Sequence, residues 1–97
     1  MKTGVEIIAE ERQRQIDVEG YLPAHDDYYV LGELSDAAVC YATRQYFRDS
    51  RRNPTFHLMW PWNQEFWKPT PENRIKELAK AGALIAAEID RLQRLNE

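Results

Sequence analysis

From Ile75 to Leu92 the residues Ile75, Leu78, Gly82, Ile85, Ile89 and Leu92 step by 3, 4, 3, 4 and 3. Only an α-helix returns side chains to one face at that spacing, and the alternation is the one along which a second helix can lie. Ahead of it, Thr70-Pro71-Glu72 supplies a capping hydroxyl, a proline suited to the first helical position and an acid for the helix N-terminus. A helix is therefore predicted to start there. Ala79, Ala83, Ala86 and Ala87 beside the seam permit close backbone approach. The partner helix can belong to the same bundle or to a second copy, and the small core available to 97 residues favours the second.

Two further helices follow from the same logic. Thr3-Gly4-Val5-Glu6 is a capping-box sequence; Val5, Ile8, Ala9 and Ile16 form a narrow apolar stripe behind it, Gly20 offers a stop and Pro23 a turn. Leu31, Leu34, Ala38 and Tyr41, flanked by Val30, Ala37 and Phe47, predict a helix from Asp26 or Asp27 to Asp49-Ser50, where Arg51-Arg52-Asn53-Pro54 breaks the pattern. Residues 53–69 lack a period, yet Phe56, Leu58, Met59, Trp60, Trp62, Phe66 and Trp67 hold too much apolar surface for a solvated loop. Such a segment is a lid, a pocket wall or a subunit contact. The expected fold is all-α: one domain over residues 1–97, a small bundle of three main helices with a long aromatic loop, completed by oligomerisation.

With 43% hydrophobic and 30% charged residues the chain has the material to fold. A net charge of -3 argues against non-specific binding to nucleic acid or an anionic membrane, since both need a basic field. No apolar run reaches membrane-spanning length, Met1 to Val5 lacks the core of a signal peptide, and the single Cys40 has no internal partner. These features predict a cytoplasmic protein without a membrane partner. Cys40, with no adjacent His, reads as a small buried apolar residue.

Three groups of residues carry candidate chemistry. Glu33 and Asp36 project from one helical face, and Glu10 and Glu11 can oppose them, a set suited to Mg2+ and thus to nucleotide phosphates; the same acids also read as solvated faces. Arg44, Arg48, Arg51 and Arg52 precede His57, Trp60 and Trp62, pairing guanidinium groups for phosphates with rings for a base. Aromatics plugging the bundle while arginines stay in water is the competing reading. His25-Asp26-Asp27 offers helix caps and an imidazole able to bond a carboxylate or phosphate, while His25 and His57 lack a zinc spacing.

The strings EERQRQIDVEGY, HDD, GELSDAAVCYA, WPWNQEFWKPTPENR and KELAKAGALIAAEIDRL resemble a family of short proteins encoded by bacteriophages and prophages. The resemblance spans nearly the whole chain and implies a life in the cytoplasm of an infected bacterium. A more distant similarity is to the all-α MazG-like nucleoside triphosphate pyrophosphohydrolases, whose helices carry ExxE and ExxD pairs around magnesium. Glu33-Leu34-Ser35-Asp36 matches the second pair, whereas Gln13 and Arg14 stand where the partners of Glu10 and Glu11 belong. The expectation is a phage-encoded, homo-oligomeric binder that sequesters a nucleotide or nucleotide-derived immune signal. The alternatives are a Mg2+-dependent pyrophosphohydrolase and a protein-interaction module acting through the Trp-rich loop.

Overall fold

A computed structural model describes residues 1–96. The chain is all-helical, with α1 (Gly4–Asp17), α2 (Pro23–Asp26), α3 (Glu33–Ala42) and α4 (Arg74–Leu95), plus short 3-10 turns at Gln45–Arg48, Phe56–Leu58 and Gln64–Phe66. The long α4 is the spine, and α1, α2 and α3 all pack against it. Among the described residues no helix is long and apolar enough to cross a membrane.

The capping box of α1 forms as expected: the Glu6 N–H donates to the Thr3 hydroxyl at 3.2 Å and the Thr3 N–H to the Glu6 carboxylate at 3.0 Å. The buried face of α1 differs from the expected stripe. Val5 is exposed, and the inward line runs Ile8, Arg12, Gln15, two of them polar.

The predicted second helix is shorter than its periodicity suggested. After the single turn of α2, Gly32 takes a left-handed φ of +89°, and α3 begins only at Glu33, whose carboxylate takes the Leu31 N–H at 2.6 Å. Tyr28, Val30 and Leu31 stay exposed, so their spacing marks no inner face. At the other end α3 stops at Ala42 because its last carbonyls have better donors. The Arg48 and Arg74 guanidinium groups each bond the Tyr41 carbonyl, at 2.9 and 2.8 Å, and Arg74 also bonds that of Ala42.

The last helix likewise starts later than Thr70-Pro71-Glu72 suggested. Residues 70–73 close a turn, in which the Asn73 N–H donates to the Thr70 carbonyl at 2.8 Å and the Thr70 hydroxyl lies 3.4 Å from the Asn73 carbonyl; the Thr70 N–H goes to the Glu77 carboxylate at 2.9 Å, and Asn73 caps α4 by accepting the Lys76 N–H at 3.2 Å. The face of α4 that enters the core carries Glu77, Ala81, Ala83, Leu84, Ala87 and Arg91. The apolar seam points mostly outward: Ile75, Leu78, Ile85, Ile89 and Leu92 remain 46–65% exposed. Apart from Leu84, the apolar residues that face inward are alanines.

Gly82 is the seam position that α1 does cover. A Cβ there would lie 2.6 Å from Ile8 Cδ1 and 2.8 Å from its Cγ1. The methyl end of Ile8 can rotate away, but moving Cγ1 needs a change of χ1, which a β-branched side chain in a helix resists, and Cγ2 lies only 3.1 Å from the same point. Gly82→Ala is therefore expected to lose about 1 kcal/mol net, the overpacking strain of ~1–3 kcal/mol exceeding the helix-propensity gain of ~1 kcal/mol. Thermal unfolding checks this, and Ile8→Ala placed in the same chain should cost less than it does alone, because the new methyl occupies the space vacated.

The buried core joins Leu34, Ala37, Ala38 and Tyr41 of α3 to Ala81, Leu84 and Ala87 of α4, with Tyr29, Trp60, Trp62 and Trp67 packed over it. The aromatic loop is thus folded onto the bundle. Tyr41 meets Trp67 at 4.8 Å and Trp60 edge-on at 5.7 Å, and Trp60 meets Trp62 at 5.3 Å. Cys40 is fully buried, and desolvation pushes its thiol up to about 11, in keeping with an inert packing residue.

Candidate functional site

The inward face of α1 ends in two polar residues, and the structure provides them with a cavity. Arg12 and Gln15 line a space of about 540 Å³ together with His25 and Asp26 of α2, Tyr21, Tyr29, and Trp62 and Phe66 of the aromatic loop. Leu34 of α3 and Leu84 and Ala87 of α4 form its apolar floor. This volume lies in the range of small-molecule and cofactor sites.

Electrostatically the cavity rests on one buried ion pair. Arg12 Nη2 donates to Asp26 Oδ2 at 3.0 Å, Arg12 Nη1 reaches the Tyr21 carbonyl at 3.4 Å, and Asp26 is 1% exposed. Each charge compensates the other in a place where either alone would be costly. The Tyr29 hydroxyl lies 3.4 Å from His25 Nε2, whereas three polar atoms of lining side chains are not matched. Arg12 Nε, Gln15 Oε1 and Trp62 Nε1 are buried without a hydrogen-bond partner; among the described residues only Arg48 Nε shares that condition. An unmet buried donor or acceptor costs ~1–3 kcal/mol, and these three belong to side chains that line one cavity, although the atoms themselves lie behind its surface.

The walls are rings. Tyr21 stacks on His25 at 5.6 Å with 9° between planes, His25 meets Tyr29 edge-on at 5.3 Å, and Tyr29 meets Trp62 at 5.0 Å. Burial raises the Tyr21 and Tyr29 hydroxyls above the ordinary tyrosine range, so both remain protonated and able to donate at neutral pH.

The expected site residues are distributed differently from the sequence-based grouping. His25 and Trp62 reach this cavity together. The four arginines do not join them. Arg48 is bound to Glu77 at 2.7 Å and covers Trp67, Arg51 and Arg52 both pair with Asp49 at 2.9 Å, and Arg44 lies over Tyr46 and Phe47. Trp60 packs on Tyr41 with its N–H given to the Asn63 carbonyl, and His57 is exposed on a 3-10 turn.

The acids also lie apart. Glu10 pairs with Lys2 at 2.8 Å, Glu11 with Arg14 at 2.5 Å, and Glu33 and Asp36 occupy the first turn of α3. Among the described residues no three His, Cys, Asp or Glu side chains gather as metal ligands, so the proposed Mg2+ set is not assembled. Glu10 and Glu11 instead pair with Lys2, just ahead of α1, and with Arg14 of α1.

Arg12, Gln15, Tyr21 and Tyr29 were not singled out from the sequence. A signal did exist: Ile8, Arg12 and Gln15 fall at i, i+4 and i+7, so a core-facing line of α1 turns polar midway, which is unusual unless the polar groups have a task. No protein-family model, curated protein or solved structure matches the chain, and the cavity's own geometry therefore carries the functional reading.

Proposed function

We propose that this chain is a small nucleotide-binding protein, and that the aromatic cavity beside α1 holds the base. The observation behind the reading is the cavity of about 540 Å³ walled by Tyr21, Tyr29, Trp62 and Phe66, with the polar side chains of Arg12, Gln15, His25 and Asp26 in its lining. A ligand that fits such walls is flat, stacks on aromatic faces and offers polar groups along its edges to the side chains between them. A nucleobase meets all of these conditions. Arginines 44, 48, 51 and 52 have no part in this version of the site, because their guanidinium groups are engaged elsewhere.

The role assigned is retention rather than turnover. Glu10 and Glu11, expected to hold a metal for pyrophosphate hydrolysis, are neutralised by Lys2 and Arg14. Together with the resemblance to phage proteins, this supports sequestration of a host nucleotide or nucleotide-derived signal. A thermal-shift screen of nucleosides, nucleoside mono- and triphosphates, cyclic nucleotides and ADP-ribose, with and without Mg2+, tests the reading. A shift with the ligand recovered intact supports it; recovery of monophosphate and pyrophosphate would transfer the weight to the hydrolase, and no shift with any compound would remove its basis.

Self-association belongs to the same proposal. Beyond Gly82, where α1 crosses the seam, α4 leaves Ile85, Ile89 and Leu92 exposed at steps of 4 and 3, an apolar stripe of about two helical turns at ~3.6 residues per turn. Such a stripe is complementary to a second copy of itself around a two-fold axis. Sedimentation is expected to show a dimer, and the pair Ile85→Asp and Ile89→Asp is expected to give a folded monomer.

A further inference from the structure

A second recess adjoins the aromatic cavity and shares Gln15, Tyr21, Trp62, Phe66 and Leu84 with it. It is small, about 80 Å³, room for two to three waters at ~30 Å³ each or for one tetrahedral oxyanion. Its distinguishing residues are Lys68, Lys80, Arg14 and Glu19. Arg14 and Glu19 compensate one another at 3.0 Å. The two lysines have no such counterpart: among the described residues neither has a carboxylate within ion-pair distance.

Lys80 is the more telling of the two. It rises from the core side of α4, lies partly buried with its Nζ 5.2 Å from the centre of the Tyr41 ring, and gives a single hydrogen bond, to the Lys68 carbonyl at 3.2 Å. An ammonium has three donors, so two stay uncommitted. Holding a cation half out of water without a counter-ion is unfavourable, and burial together with nearby Lys76 lowers the ammonium below the ordinary lysine range, while Glu11 and Glu19 oppose the shift. A lysine serving only solubility would extend into solvent.

Building on the nucleotide reading above, we infer that this recess is the phosphate end of the same site: Lys80, assisted by Lys68, takes a phosphoryl group of a ligand whose base lies against Tyr29 and Trp62. The shared wall of Gln15 and Trp62 places base and phosphate on either side of one boundary, so the ligand class is an anionic nucleotide and not a free base or nucleoside. The recess admits one phosphoryl group, and any further phosphate would extend toward solvent.

The test is the ratio of affinities for each of the four ribonucleoside 5′-monophosphates and its parent nucleoside, measured by calorimetry. The folded protein is expected to favour the monophosphate by about tenfold to a hundredfold, as one charge-assisted contact to a partly buried ammonium supplies. Lys80→Met should bring that ratio close to one, and Lys68→Met, at an exposed position, should reduce it severalfold. Raising the salt concentration should weaken monophosphate binding more than nucleoside binding. Equal affinities in the unaltered protein, or a ratio that survives Lys80→Met, would overturn the phosphate assignment while leaving the base site standing. Absence of binding by every nucleoside and nucleotide would overturn both.

Discussion

Glu77→Ala is expected to lower the unfolding free energy by about 3–5 kcal/mol, the usual result of removing one partner from a buried charge network. Glu77 is 1% exposed and takes hydrogen bonds from Arg48 at 2.7 Å, from Arg74 at 3.1 Å and from the Thr70 backbone at 2.9 Å. Those same guanidinium groups close the C-terminus of α3 through the Tyr41 and Ala42 carbonyls. A single carboxylate thus ties the end of α3, the Gln45–Arg48 turn, the end of the aromatic loop and the start of α4. Without it the Arg48 side chain, 5% exposed, is left charged and uncompensated. Against a total stability of ~5–15 kcal/mol for a domain of this kind, chemical denaturation should show a much lower midpoint with a similar slope.

The same carboxylate sets the acid response. Burial would raise its pKa, but the bonds from Arg48 and Arg74 outweigh burial and hold it below the usual carboxylate range. A folded value below the unfolded one means that its contribution is complete at neutral pH and is lost as the pH falls below ~4.5 and through the folded value. Glu6, held low by the Thr3 N–H, and Asp49, held low by Arg51, titrate in the same direction. Stability measured from pH 7 to pH 2 should fall for the unaltered protein and fall less steeply for Glu77→Gln, which starts lower.

Gln15→Leu is expected to move stability and binding in opposite directions. Gln15 is 4% exposed and its Oε1 has no partner, so a leucine of similar size removes an unmet acceptor and should raise the stability of the free protein by about 1 kcal/mol. The same change removes the amide that would read the edge of a base. Nucleotide affinity is expected to fall about tenfold, the effect of leaving a ligand polar group unpaired. Thermal unfolding without ligand and calorimetry with it supply the two readings. A stability loss in the free protein would mean that Gln15 serves packing rather than recognition.

How much was legible in the chain differs from element to element. The capping box at Thr3 and Glu6 was readable because both partners lie within one turn. The end of α3 was not readable from its own residues, since it is set by Arg48 and Arg74. The start of α4 lies at Asn73 rather than Thr70, because residues 70–73 close a turn whose first N–H is held by the Glu77 carboxylate. Within the site, His25 and Trp62 were nominated by residue type, whereas Arg12 and Gln15 looked like ordinary polar residues of an exposed helix.

By itself the sequence determined what depends on neighbours a few residues apart: an all-helical chain, a long apolar-seamed C-terminal helix, an aromatic segment too oily to stay in water, and an inert Cys40. The tertiary structure alone decided which face of α4 turns inward, because 3- and 4-residue spacing defines a stripe but not what covers it. It also decided which charges meet. Ion pairs such as Arg12 with Asp26 and Arg48 with Glu77 join residues 14 and 29 positions apart, and no local rule selects among the many cations and acids of the chain. The cavity exists for the same reason: its polar groups and rings come from α1, α2, the segments beside α2 and the aromatic loop, its floor comes from α3 and α4, and only packing brings them to one place.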